Sequence, residues 1–250
     1  PHTSAGSGEP PMVLVHGFGG DQLAWAMLMP ELAKLRRTVT LDLPGHGQAV
    51  AWPGPHKPSS MANAVLQTID ALGAERAVLV GHSMGGAVAS LAALKRPEAV
   101  ERLVLISPGG FGPKINARLL RRFALMRDEA EIALVLEAFF GPNSPVPPEL
   151  PQLIAELRAD DALAQSLAAI VDTLLDGHGQ GVLPVTDLAA LPVPITLIWG
   201  EADGVVPVAQ AHAAPATIAT HILPDVGHLP HVEAADTVVR IISEAVARRA

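Results

Sequence analysis

Gly81-His82-Ser83-Met84-Gly85-Gly86 is the stretch of this chain best equipped for chemistry. It stands between an apolar run, Ala77-Val78-Leu79-Val80, and a run of small residues from Ala87 to Leu94. Gly-x-Ser-x-Gly between a strand and a helix makes a sharp turn that holds the serine in a strained backbone conformation and exposes its hydroxyl at the sheet edge. Glycines two residues to either side let strand and helix approach closely. The following helix N-terminus carries a partial positive charge that favours a developing oxyanion.

A serine hydroxyl is a weak nucleophile at neutral pH and needs an adjacent base. His228, in Asp225-Val226-Gly227-His228-Leu229-Pro230, follows the last expected strand and so falls at the same sheet edge as Ser83. The base in turn needs a carboxylate to fix its tautomer. Asp203, in Gly200-Glu201-Ala202-Asp203-Gly204, follows the strand before it. His231 is a rival base, and Glu201 and Asp225 are rival acids. An acid placed after Leu103–Ile106 is excluded, because Ser107-Pro108-Gly109-Gly110 offers no carboxylate. His178 and His212 read as pocket-rim or surface residues. No cofactor or metal site is expected: Cys is absent, no His-x-x-x-His pair occurs, and His228 and His231 lack an acidic partner set.

A tetrahedral oxyanion needs two N–H donors. The amide of Met84 supplies one by its place after the nucleophile. The other is assigned to Phe18, in the glycine-rich loop His16-Gly17-Phe18-Gly19-Gly20 after the first core strand. Neither glycine-rich loop fits a phosphate-binding or dinucleotide-binding pattern, so nucleotide binding is not expected.

The elements that must position these groups alternate short β-branched runs with longer helical patterns, the signature of a parallel sheet. Strands are expected at Met12–Val15, Thr38–Leu41, Ala77–Val80, Leu103–Ile106, Ile195–Trp199 and Thr220–Leu223, each of the first four fitting a right-handed crossover to the next. Helices are expected at Leu23–Leu35, Ser60–Leu72, Met84–Arg96, Val208–Ala213 and Ala235–Arg248. The alternation breaks between Pro108 and Pro192, where Lys114–Met126, Asp128–Phe140, Leu150–Ala159 and Asp161–Leu175 read as helices with no convincing strand, and Gly177–Gly181 as a flexible turn. The division expected is a linker-like N-terminus over 1–11, a first core segment over 12–110, a helical cap over 111–190 and a second core segment over 191–250. A cap there would lie over the strand C-terminal ends, where open α/β sheets place ligands. Its apolar candidates for a pocket are Leu119, Phe123, Met126, Phe139 and Phe140, at a spacing that equally suits core.

The 250 residues, 49% hydrophobic, are enough for a sizeable core. A net charge of -8 argues against nucleic acid as a partner. No apolar run reaches the roughly 18 residues of a membrane span, and no signal peptide is visible. With no Cys the redox compartment is open, and a cytoplasmic location is the default expectation.

With these pieces placed, the chain resembles the α/β-hydrolase superfamily over nearly its full length. The resemblance rests on His16–Gly20, Asp42-Leu43-Pro44-Gly45-His46-Gly47, Gly81–Gly86, Trp199–Asp203 and Gly227-His228. It implies an α/β-hydrolase fold: a mostly parallel central sheet flanked by helices, with a helical cap inserted between two late strands. It also implies Ser83 as nucleophile, Asp203 as acid, His228 as base, and the amides of Phe18 and Met84 as oxyanion hole. Asp42–Gly47 would be a structural turn. One departure is that such sheets usually begin with two strands before the His-Gly loop, whereas only eleven residues precede Met12, room for one short strand. The elbow, together with Ser107–Gly112 and Ile115-Asn116, is further similar to the hydrolase-like domain of dihydrolipoamide acetyltransferase subunits of acetoin dehydrogenase complexes. A linker-like opening without Met fits such an excised domain, and association with a larger dehydrogenase complex is then implied.

Three functions follow as expectations. The first is a serine hydrolase of the carboxylesterase type, acting on small to medium acyl esters as small-molecule substrates. The second keeps the acyl-enzyme and transfers the acyl group to a thiol such as dihydrolipoamide or coenzyme A, with carbon–carbon bond hydrolysis open to the same triad. The third is a binding or assembly domain without turnover.

Overall fold

The computed structural model describes residues 1–54 and 56–247. Its strands are β1 (His2–Ala5), β2 (Met12–Val15), β3 (Thr38–Leu41), β4 (Ala77–His82), β5 (Val100–Ile106), β6 (Leu175–Asp176), β7 (Gly179–Gln180), β8 (Ile195–Gly200) and β9 (Ala219–Leu223). The main sheet runs β1-β3-β2-β4-β5-β8-β9. β1 is antiparallel to β3, and every other neighbouring pair is parallel. The central strands are apolar at nearly every position because helices cover both faces.

The helices are α1 (Met29–Leu35), α2 (Pro58–Ala71), α3 (Met84–Lys95), α4 (Ala117–Leu125), α5 (Glu129–Leu136), α6 (Leu150–Arg158), α7 (Asp161–Leu174), α8 (Val185–Ala189), α9 (Ala209–His212), α10 (Pro230–Glu233) and α11 (Ala235–Ala247). Alternate side chains of β4 point to opposite faces. Ala77 and Leu79 pack with α2, α3 and α8, while Val78 and Val80 pack with Trp25, Leu32 of α1 and Val238, Ile241 and Ile242 of α11. The chain leaves β2 for β3 on one side, then crosses to β4 on the other. Loops leaving the C-terminal ends of β2 and β4 therefore diverge and open a crevice between them.

Several local expectations change. The linker-like opening supplies the edge strand β1, which pairs with β3 from His2 opposite Leu41 to Ala5 opposite Thr38. The helix expected over Leu23–Leu35 divides into a 3₁₀ turn, Gln22–Trp25, and α1. Asp21 caps the first at the Leu23 amide (2.7 Å), and Pro30 opens the second, where a missing N–H does least harm. In the inserted segment, polar caps set the starts of α4 and α5 later than periodicity alone gives, Asn116 accepting from the Leu119 amide and Asp128 from that of Glu131, while α7, capped by Asp160 at the Ala162 amide, begins at Asp161 as expected. The flexible turn expected at Gly177–Gly181 is instead the tight β6–β7 hairpin, turned by Gly177 at φ +63°. α8 was not expected. Arg248, expected to end the last helix, lies outside the described residues. Among the described residues no helix is long and apolar enough to cross a membrane.

Candidate active site

Ser83 joins β4 to α3 with φ +52° and ψ −119°, a conformation non-glycine residues rarely hold. The turn is over-determined, as such strain requires. The Ser83 amide donates to the Ile106 carbonyl (2.9 Å), and the Ser83 carbonyl accepts from the Gly86, Ala87 and Gly109 amides. Gly85 is obligatory here, since a Cβ on it would overlap the carbonyl oxygens of Val15 and His16.

The loop after β8 brings Asp203 inward, and the loop between β9 and α10 brings His228. Oδ2 of Asp203 lies 2.8 Å from Nδ1 of His228, and Nε2 of His228 lies 2.9 Å from Oγ of Ser83. Oδ1 of Asp203 accepts the Val205 and Val206 amides, both at 2.8 Å. Both side chains are buried, at 0% and 2% exposure, so their pairing is sheltered from water. A carboxylate accepts only, so Nδ1 of His228 carries the proton and Nε2 presents a lone pair to the serine hydroxyl.

The backbone of His228 is fixed on every side. Its amide donates to the Phe139 carbonyl (2.7 Å), and its carbonyl accepts from Nε2 of His82 (2.8 Å). The Glu233 carboxylate accepts the flanking amides of Gly227 and Leu229, and also that of Gly141 in the inserted segment (2.7 Å). Sequence reasoning missed both His82 and Glu233 as supports. The signal for Glu233 was local, a carboxylate within one turn of the His228 loop.

The rivals fall elsewhere. Glu201 and Asp225 are exposed, as are His178 and His212. His231 is buried in α10 against the rings of His82 (4.3 Å) and Trp25 (5.0 Å), and burial pushes its pKa down to about 3. Among the described residues no group of three or more His, Cys, Asp or Glu could hold a metal ion.

Phe18 and Met84 line the same cavity as Ser83. Met84 is the first residue of α3, whose N–H has no partner inside the helix. The loop bearing Phe18 is tied down by His16, whose Nε2 accepts the Leu43 amide (3.0 Å), leaving Nδ1–H to donate to the Gly17 carbonyl (2.8 Å). Burial lowers the His16 pKa, which suits this neutral two-sided role. Asp42 fixes the adjoining turn by accepting the Gln22 and Gln48 amides. Gly47, at φ +46°, has no room for a Cβ beside that carboxylate.

The cavity over Ser83 measures about 330 Å³. Its apolar wall comes from Leu91, Ile115, Leu120, Leu174, Val182 and Leu183. Of the apolar residues the sequence offered for this role, Phe123, Met126, Phe139 and Phe140 are buried packing residues, and neither they nor Leu119 line it. A larger cleft of about 830 Å³ lies between α5 and the proline-rich stretch 142–151 and contains none of the reactive groups.

Residues 12–241 match the sequence profile of the alpha/beta hydrolase family. The chain is 32% identical over 231 residues to the dihydrolipoyllysine-residue acetyltransferase component of the acetoin cleaving system of Cupriavidus necator, covering 92% of this chain and 62% of that protein. It therefore spans less than two thirds of that relative's length. It is 32% identical over 164 residues to a 2-hydroxymuconate semialdehyde hydrolase of a Pseudomonas species, covering 64% of this chain and 58% of the relative. In three dimensions it is similar to the meta-cleavage product hydrolase of Pseudomonas fluorescens IP01, with a TM-score of 0.87 and 24% identity, covering 97% of this chain and 92% of that one. The parallel sheet, the strained serine turn and a profile match over most of the chain place it in the alpha/beta hydrolase family.

Proposed function

We propose that the protein is a serine hydrolase that cleaves small to medium acyl esters through an acyl-enzyme on Ser83. The observation that carries this reading is the unbroken hydrogen-bonded chain from Ser83 Oγ through His228 to Asp203, at 2.9 and 2.8 Å. Nε2 of His228 takes the hydroxyl proton as Oγ attacks the ester carbonyl, and Asp203 stabilises the imidazolium. The tetrahedral oxyanion is held by the amides of Phe18 and Met84. Collapse breaks the C–O bond, and His228 returns the proton to the leaving alcohol. Water, deprotonated by His228, then releases the acid. Residues 111–190 act as a cap whose α4, α7 and β6–β7 hairpin wall the acyl pocket. At about 330 Å³ that pocket falls near the small end of ligand sites, which span about 300–1,000 Å³.

A second reading is favoured by the likeness to the acetoin-system component. There the same acyl-enzyme would be opened by a thiol, such as that of dihydrolipoamide or coenzyme A, and the chain would work within a larger dehydrogenase complex. Carbon–carbon bond cleavage uses the same nucleophile and is separated by product identity.

Labelling with a fluorophosphonate, read by intact mass and peptide mapping, tests the shared core of these readings. A single adduct on Ser83 is expected. Folded protein that takes no label would instead favour a binding or assembly domain. Adding dihydrolipoamide to an ester assay then decides the acceptor: diversion of product from acid to thioester supports transfer, and none at saturating thiol supports hydrolysis.

A further inference from the structure

We propose that His82, the residue before the nucleophile, is a positioning residue that holds the base-bearing loop and the oxyanion-side loop in place around Ser83. The assignment rests on the reading of Ser83 and His228 given above. His82 ends β4 and points to the sheet face opposite α3, continuing the row of Val78 and Val80. It is 5% exposed. Its Nε2–H donates to the His228 carbonyl at 2.8 Å, and its ring packs at a tilt against the His228 ring, centroids 4.9 Å apart. The other edge of the same ring abuts the oxyanion-side loop: a Cβ added at Gly17 would lie 2.7 Å from Nδ1 of His82. One imidazole, covalently joined to Ser83, thus touches the loop of the base and the loop that carries Phe18.

The hydrogen bond also specifies the ring's state. A carbonyl can only accept, so Nε2 must carry a proton. The titratable groups facing the ring are His16 from the β2 loop, His228 from the base loop and His231 from α10, none of them a carboxylate. Burial, with the two histidines nearest it, holds the His82 pKa well below its usual value, so the neutral Nε2–H form is the one that works. An apolar side chain of equal length would fill the space yet leave the His228 carbonyl without its donor, freeing the loop on the scale of the ångström misplacements that slow catalysis.

The test compares His82→Met, which keeps length without a donor, with His82→Gln, which places an N–H at similar reach. The read-outs are the rate of Ser83 labelling by fluorophosphonate and kcat and KM on p-nitrophenyl butanoate, with folding followed by circular dichroism. The expectation is a loss in labelling rate and kcat of about tenfold to a hundredfold for His82→Met, with KM within about twofold, and recovery of most of it in His82→Gln. A His82→Met variant at the wild-type rate, or two variants equally impaired, overturns the assignment. Nitrogen-15 NMR of the wild-type ring supplies an arm that needs no variant: an Nε2–H tautomer is expected, and an Nδ1–H tautomer overturns it. Wild-type protein that takes no label would sink the reading of Ser83 itself, whereas labelled wild type with an unaffected Met variant sinks only the role of His82.

Discussion

Replacing Asp203 with Asn is the most discriminating single change in the proposed triad, because the structure leaves the amide no good orientation. Oδ1 accepts two backbone amides at 2.8 Å, and Oδ2 accepts Nδ1–H of His228 at the same distance. All three partners are donors, and an amide offers only one accepting atom. With its oxygen kept on Val205 and Val206, its NH₂ faces Nδ1 and forces the proton of His228 onto Nε2, where no lone pair is left for Ser83. Turning the amide restores the tautomer but sets NH₂ against two buried amides instead of one ring nitrogen. Each of the two backbone donors left unsatisfied costs about 1–3 kcal/mol, so the working arrangement falls by about thirtyfold or more. Losing the carboxylate also removes an attraction for the imidazolium of about 4 kcal/mol at an effective dielectric near 20, about another thousandfold. The product is a fall in kcat of about ten-thousandfold or more, the scale on which the same exchange acts in a protease triad. The assay is kcat and KM on p-nitrophenyl butanoate, with circular dichroism to show a native fold. Activity within tenfold of wild type would refute the argument and reopen Glu201 and Asp225.

Other expectations follow from the same geometry. Ser83→Ala should abolish fluorophosphonate labelling and turnover while the thermal midpoint holds or rises, since a strained nucleophile is relieved of function and not of packing; residual ester turnover at the wild-type rate would contradict it. Across p-nitrophenyl esters, kcat/KM should peak at short to medium chains and fall at dodecanoate, because the cavity lined by Leu91, Leu120 and Leu183 measures only about 330 Å³; a maximum at dodecanoate would show that the acyl chain lies elsewhere. Gly85→Ala should destabilise the fold by about 3 kcal/mol or more, measured by urea unfolding, because its Cβ meets fixed backbone oxygens and no flexible side chain.

Stability should depend on pH through four buried histidines, His16, His46, His82 and His231, all with pKa values held below 6.5 first of all by burial. Each is neutral when folded and takes a proton near pH 6.5 when unfolded. Above that pH they make no difference between the two states. As pH falls below it the unfolded chain binds more protons, and stability is lost at up to about 1.4 kcal/mol per pH unit for each group, until the folded pKa is reached. For His231 that window extends down to about pH 3. Urea midpoints should therefore be flat from pH 7 to 8 and drop steeply from pH 6 to 4.5. A flat midpoint across the lower range would mean that these rings are solvated in the folded protein.

What could be read from the sequence, and what could not, divides by the range of the interactions. β2, β3, β4 and β8 begin where their β-branched and apolar runs predict, since a strand buried on both faces carries few polar side chains beyond threonine. The serine turn was legible because a tight strand-to-helix joint demands glycine at fixed offsets, as the crowding at Gly85 shows. The pairing of Asp203 with His228 was only one of several options in the sequence, because Glu201 and Asp225 share its local setting; exposure separates them in space. The starts of α1, α4 and α5 depend on single polar or proline residues that periodicity averages away. Least legible was the cavity over Ser83, walled by Leu120 of α4 and by Val182 and Leu183 beyond the β6–β7 hairpin, segments far apart in the chain.

That division has a physical basis in how the site is assembled. The reactive groups sit on loops at the ends of parallel strands, so strand order alone brings Ser83, Asp203 and His228 to one edge, and each can be marked by its own few neighbours. Their final alignment is a different matter. It depends on contacts across the whole domain: Phe139 and Gly141 from the inserted segment, Glu233 from α10 and His82 from β4 all meet the loop of His228. The Glu233 carboxylate bonds the amides of both Gly141 and Gly227, so a displacement of the inserted segment strains the base loop directly. The inserted segment and the His228 loop are therefore mechanically joined. Changes in the inserted segment that enlarge the cavity over Ser83 should alter kcat as well as KM when they move Gly141, and KM alone when they trim Leu120 or Leu183 in place.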